Sequence, residues 1–462
     1  MSSDAFQQLP PVQDVLSQSS MASLVEEQGR DVVVGWVREA LQQARQCVID
    51  KLGNFDRPAW IDWVVDRVLA AAATAHHHRL SRVINATGIV LHTGLGRAPL
   101  SLAARQALSE LGGHCNVEVD LATSERRYRG HQLEAAFRML TGCEDVLIVN
   151  NNAAATLLTL QALCAGREVL ISRGQLIEIG GSFRLPDIFA LSGAGMREVG
   201  TTNRTRLADY ASAITPETAA LMLVHPSNYR VIGFSETPAI ETLVPLARER
   251  GLIAIDDIGS GALIDVAELG LPTEPTFQNS LAAGADVVLG SGDKLLGGPQ
   301  CGIILGKHSF VERIRQHPLA RAVRVGKLTL AALQATLDVY QRGTATTEIP
   351  TLTMLATSVE SLRTRAEKLL AEIGDLSSCH IEVANDVAAV GGGSLPGIEL
   401  PTVVLRLQSD TQSSQELSQR LRLGSIRVFV RIQQDKVLFD LRSVLPEDDG
   451  RLALAIRCAA RR

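Results

Sequence analysis

Apolar residues recur at three-to-four spacing through the first eighty positions of the chain. Val32, Val33, Trp36, Val37, Ala40, Leu41, Ala44 and Val48 form one stripe, and Trp60, Trp63, Val64 and Val68 resume it after Pro58, the pattern of amphipathic helices. No strand alternation interrupts this segment, and all three tryptophans lie in it, which predicts a packed helical domain over residues 1–80. From about residue 82 short aliphatic runs alternate with amphipathic stretches, at 146–149, 168–172, 220–225, 252–257, 285–290 and 301–306. Continuous apolar runs between helices predict the buried strands of a largely parallel sheet, and so an α/β domain over 81–340. Ligands gather at the carboxyl ends of such strands. Those ends here read Asn150-Asn151-Asn152, His225-Pro226-Ser227-Asn228, Asp256-Asp257-Ile258-Gly259 and Gly290-Ser291-Gly292-Asp293-Lys294. Beyond about residue 340 the pattern predicts a helical segment at 353–373, a strand at 402–407 and a helix near 415–423. Two further runs, 426–432 and 436–444, flank Gln433-Gln434-Asp435 as a hairpin. That is a small α+β domain over 341–462.

Composition narrows the class. At 462 residues with 46% hydrophobic content, the chain is too long for a single small module and too apolar for a disordered one, and it has room for about three domains. The charge-free run 146–166 is long enough to span a bilayer, but it carries Asn150, Asn151, Asn152, Thr156, Thr159 and Gln161 and reads as a strand followed by a helix. Asp4, Asp14, Glu26 and Glu27 interrupt any secretory h-region, so no signal peptide is expected. Seven cysteines without a CxxC pair fit a reducing cytoplasm. His76-His77-His78 reads as a polar junction, because three adjacent side chains on a helix do not converge on one ion. The formal charge of −5, with seven Arg or Lys against ten Asp or Glu in residues 1–80, shows no basic footprint for nucleic acid at the level of counting.

The candidate chemistry lies at the strand ends. An acid closing one strand, Asp257, and a lysine just past a later one, Lys294, are what an aldehyde cofactor with a pyridine ring requires. The amine forms a Schiff base, and the carboxylate keeps the ring nitrogen protonated. On spacing alone, a surface lysine and a helix-capping aspartate are the commoner account of such a pair. The surroundings say more. Lys294 lies in a glycine-rich string, residues 290–299, whose amides and Ser291 hydroxyl can approach an anion such as a phosphate. Asn150-Asn151-Asn152-Ala153 opens a helix, either as a plain cap or as a second anion site. No Walker loop is present, and Gly94-Leu95-Gly96-Arg97 runs into Ala98-Pro99 rather than completing a dinucleotide fingerprint.

Several longer strings carry a resemblance. LPPV (9–12), INATGIVLHTGLGRAPL (84–100), VNNNAAATLL (149–158), SRGQLIEIGGSFRLPDI (172–188), EVGTTNRT (198–205), DIGSGALID (257–265), SGDKLLGGPQCGIILGK (291–307) and GGGSLP (391–396) resemble the bacterial selenocysteine synthase family. Members of that family are pyridoxal-phosphate-dependent L-seryl-tRNA(Sec) selenium transferases. The resemblance implies a fold-type I, aspartate-aminotransferase-like large domain with a mostly parallel sheet, a small α+β C-terminal domain and a helical N-terminal domain that recognises tRNA. It also implies conversion of L-seryl-tRNA(Sec) to L-selenocysteinyl-tRNA(Sec) through a pyridoxal-phosphate-bound aminoacrylyl intermediate, with selenophosphate as selenium donor. The assembly it implies is a cytoplasmic homodecamer, a pentamer of dimers.

Position by position, the resemblance implies that Lys294 carries pyridoxal phosphate and that Asp257 faces the ring nitrogen, with Asp256 as a competing choice. Ser291, Asn151, Asn152 and Ala153 fall at phosphate-binding positions, and Asn228 falls near the ring. Arg97, Arg321 and Arg324 match positions associated with selenophosphate, for which guanidinium forks are suited. Asp293, adjacent to the lysine, is a candidate to protonate the leaving hydroxyl. Arg126, Arg127 and Arg129 around Tyr128 form a basic cluster of open role, since the family pattern has glycines where this chain has Ser124 and Arg127. Two rival readings stand beside this one: a pyridoxal-phosphate lyase acting on a small amino acid or amino-sugar acid, and a catalytically silent tRNA-binding protein.

Overall fold

The structure is a computed structural model that describes residues 6–50, 55–77, 79–179 and 183–461; Asp4, Lys51, His78, Gly180, Gly181 and Ser182 lie outside these. The chain forms two compact units, Met1–Arg82 and Val83–Arg462. Helices Val12–Leu16, Ser19–Gln28, Arg30–Ile49 and Arg57–His77 make the first. Their apolar stripes meet in a core of Val15, Met21, Val33, Val37, Ala44, Trp60, Val64 and Val68, while Arg30, Arg38, Arg45, Arg57, Arg67 and Arg79 are exposed. Among the described residues no helix is long and apolar enough to cross a membrane.

The second unit holds two large sheets. The seven-stranded sheet runs, in spatial order, Asp145–Val149, Gly302–Gly306, Val287–Ser291, Ile253–Gly259, Thr218–Val224, Glu168–Ser172 and Gly195–Val199. Gly302–Gly306 is antiparallel to both neighbours, and every other pair is parallel. Each expected aliphatic run is a strand. The edge strand Gly195–Val199 escaped the pattern because Arg197 and Glu198 break its apolar run. Alternate residues face opposite sides: Leu221 and Leu223 enter one core, whereas Ala220, Met222 and Val224 enter the other, together with Ala154, Ala155 and Leu158 of helix Asn152–Cys164.

The six-stranded sheet orders Ile84–Ala86, Val428–Gln433, Lys436–Asp440, Glu399–Ser409, Cys379–Gly391 and Ile89–Leu91. Residues 84–91, which sequence segmentation places with the large domain, thus supply both edges of the C-terminal sheet. Gly88, at φ +78 between them, turns the chain where a Cβ would collide with the Asp440 carboxylate. The hairpin turns at Gln434 and Asp435, both left-handed at φ 50 and 57, as a two-residue turn between twisted strands requires. The expected helix 353–373 is two helices, Pro350–Ala356 and Val359–Ile373. Ser358 caps the second, accepting the Ser361 N–H at 3.2 Å.

Candidate active site

Period-two alternation decides which acid meets the lysine. Ala254 and Ile258 point into one core and Ile255 into the other, so Asp256 and Asp257 face opposite sides of the sheet. Asp256 turns to Ser280, whose hydroxyl donates to Oδ2 at 2.6 Å. Asp257 turns toward helix Asn152–Cys164. Its Oδ1 accepts from Asn152 Nδ2 at 2.9 Å and from the Gly259 N–H at 3.1 Å, and its Oδ2 accepts from Thr156 Oγ1 at 3.2 Å. Burial pushes the Asp257 carboxyl upward, opposed by Asn152, the Lys294 charge and Thr156.

Lys294 follows strand Val287–Ser291 and is 4% exposed. Burial, and then the charge of Arg97, lower its pKa against the pull of Asp257, Asp293 and Glu274. Both effects enlarge the neutral, nucleophilic fraction of the amine. Glycine permits the surrounding packing: at Gly261, φ +67, a Cβ would strike the Ser291 carbonyl.

Lys294 and Asp257 share a cavity of about 360 Å³ with Arg97, Asn151, Asn152, Ala153, His225, Ser227, Ser291 and Asp293. Asn151 caps the helix, its Oδ1 accepting the Ala154 N–H at 2.8 Å, so the positive end of the helix opens on the cavity. Arg97, at φ 60, reaches Asp293 with Nη1 to Oδ2 at 3.1 Å, and the Ala98 N–H donates to the Asp293 carbonyl at 3.2 Å.

Three expected residues lie elsewhere. Asn228 does not line the cavity; it is exposed and donates to the Glu178 carbonyl at 2.7 Å, and its buried neighbour Ser227 takes the inward position. Arg321 and Arg324 are exposed and outside the lining. They stand on the segment whose Val323 carbonyl accepts the Asn150 N–H at 2.9 Å, with Arg324 Nη1 3.5 Å from Glu118. Arg126 and Arg129 also pair with Glu118, at 2.7 and 2.8 Å, so that basic cluster is partly neutralised within the chain. Glu274 and Gly393 were missed because they approach Lys294 only through tertiary packing.

The cavity fits pyridoxal phosphate. A buried amine and a buried carboxylate face one space, a helix start and Ser291 offer a phosphate cradle, and Asn152 Oδ1 is buried without a partner among the described residues. The described fold is similar to that of D-glucosaminate-6-phosphate ammonia-lyase, at TM-score 0.57 and 21% identity over 82% of this chain and 96% of that one. Fold and site together define a fold-type I pyridoxal-phosphate enzyme. A family profile described as L-seryl-tRNA selenium transferase matches residues 83–445, and one described as the selenocysteine synthase N terminus matches residues 6–45. The chain is 43% identical over 457 residues to the L-seryl-tRNA(Sec) selenium transferase of Geobacter sulfurreducens, covering 98% of each. To that of Carboxydothermus hydrogenoformans it is 42% identical over 442 residues, covering 95% of this chain and 94% of the other. The chain belongs to the L-seryl-tRNA selenium transferase family.

Proposed function

We propose that this protein converts L-seryl-tRNA(Sec) to L-selenocysteinyl-tRNA(Sec) on pyridoxal phosphate, taking selenium from selenophosphate. The observation that carries the reading is the meeting of Lys294 and Asp257 in one buried cavity, in a chain so similar to that family along its length. When bound, the cofactor supplies an electron sink for the substrate Cα. Lys294 Nζ would hold it at the aldehyde carbon, and the same amine, once released, takes and returns the Cα proton. Asp257, braced by Asn152, Thr156 and the Gly259 amide, holds a proton on the ring nitrogen. Ser291 and the amides at Asn152 and Ala153, which line the cavity, would hold the phosphate. Asp293 stands beside the lysine as a carboxylate paired with Arg97, placed to relay the proton that Lys294 has taken to the departing hydroxyl, and its Arg97 partner offers a guanidinium to the selenophosphate dianion.

The helical unit, with its exposed arginines, serves tRNA recognition. Arg321 and Arg324, outside this chain's cavity, join the donor site by facing it from elsewhere in a homo-oligomer, for which we take the decamer of dimers as the working assembly. Incubation of the purified protein with seryl-tRNA(Sec), with and without selenophosphate, followed by analysis of the amino acid esterified to tRNA, tests the reading. Selenocysteinyl-tRNA that appears only with donor supports it. Conversion of free amino acids alone would transfer the site to lyase chemistry.

A further inference from the structure

Glu274 belongs to no motif in the sequence. It stands between Pro272 and Pro275, ahead of helix Phe277–Ala282, and the following proline confines its backbone to extended conformations. The side chain is therefore presented from a stiff support, and the residue is 2% exposed. Its Oε1 accepts the Leu395 N–H at 2.6 Å, and its Oε2 lies 3.0 Å from His225 Nε2. Among the described residues neither Oε2 nor Nε2 has a hydrogen-bond partner, so the 3.0 Å charge contact between them is what the two buried atoms share. A buried carboxylate without partners is costly; these contacts are what the fold provides for it.

Both contacts lead to Lys294. The His225 ring lines the Lys294 cavity, and its backbone N–H donates to the Asp257 carbonyl at 2.9 Å. On the other side, Leu395 is held at φ 49, a conformation that side-chain-bearing residues rarely adopt. Two residues earlier, Gly393 presses on the lysine: a Cβ there would fall 2.6 Å from Lys294 Cε and 2.8 Å from Nζ.

We propose that Glu274 is a positioning residue, whose buried carboxylate clamps the His225 ring and the 391–395 loop to each other and so fixes the wall around Lys294. A carboxylate oxygen only accepts, so the contact calls for a proton on His225 Nε2. The kinetic part of this inference rests on the proposed reaction; the clamp itself does not.

Two substitutions separate the contacts. Glu274→Gln keeps an oxygen for the Leu395 N–H but turns an NH2 toward His225, driving the ring proton to Nδ1. Glu274→Ala removes both contacts. Hydrogen exchange read by mass spectrometry on peptides spanning 391–398 of the holoenzyme reports the loop, and kcat with KM for seryl-tRNA(Sec) reports the ring. Loss of a hydrogen bond to a charged group should speed Leu395 exchange about ten- to a hundredfold in Glu274→Ala, with Glu274→Gln staying near wild type. Glu274→Gln should lower kcat about tenfold with KM held, as expected for a wrong tautomer in the site, and should add nothing in a His225→Asn background. Unchanged exchange in Glu274→Ala, or full additivity with His225→Asn, overturns the proposal. If the wild-type enzyme transfers no selenium, the failure falls on the reaction, and exchange alone then decides the clamp.

Discussion

Replacing Gly393 with alanine probes the contact between the C-terminal loop and the reacting amine. The new Cβ would stand 2.6 Å from Lys294 Cε, 2.8 Å from Nζ and 3.0 Å from Cδ, where carbon atoms in ordinary contact keep about 3.5–4.0 Å. The lysine tip must therefore withdraw by about 1 Å, or the loop must lift. A flexible side-chain end yields at little cost to folding, so the steric term falls on the position of the amine. The backbone adds its own penalty, because φ +101 is a conformation alanine rarely takes, at about 1–3 kcal/mol. Gly397→Ala separates the two effects: its φ is +70, and an added Cβ meets nothing within 4 Å. Both variants should lose about 1–3 kcal/mol of stability in chemical denaturation. Only Gly393→Ala should also lose turnover, by about a hundredfold, as expected when a reacting group moves by about 1 Å. Pyridoxal phosphate titration followed by absorbance should show weakened binding in the same variant. Equal losses in the two variants, or full turnover in Gly393→Ala, would refute the contact.

Asp256, pushed up to about 6 by burial, gives a pH signature. Between its unfolded value near 3.8 and about 6 the folded state binds more protons than the unfolded one, so this group's stabilising contribution fades as pH rises through that window and stays lost above it. Asp256→Asn, which keeps an acceptor for Ser280, should therefore gain up to about 3 kcal/mol over wild type at pH 8 and little at pH 4, read from denaturation midpoints; a gain independent of pH would contradict the burial argument. Arg97→Ala should raise KM for selenophosphate about tenfold or more, from loss of a charged hydrogen bond, and an unchanged KM would remove Arg97 from the donor site. Asp293→Asn should depress kcat, and full activity would dispose of its role as proton relay.

Much of this protein is legible in the chain itself. Six strands of the central sheet announce themselves as aliphatic runs, because strands buried on both faces need no polar positions. The hairpin shows in its turn residues, and the helical unit in its three-to-four stripe. The family is carried by strings around Lys294, where chemistry restricts residue type most tightly. Strand Cys379–Gly391 did not show, since its half-exposed positions mix Glu382, Asn385 and Asp386 into the run.

Tertiary structure decided the rest, because contacts between distant segments have no local signature. Spacing does not separate Asp256 from Asp257; the resemblance favours Asp257, and the facing of the strand turns Asp257 to the lysine and Asp256 to Ser280. Ser227 rather than Asn228 points inward for the same reason of direction. The closure of the site by Glu274, Leu395 and Gly393 joins segments more than a hundred residues apart, a distance across which no spacing along the chain can report.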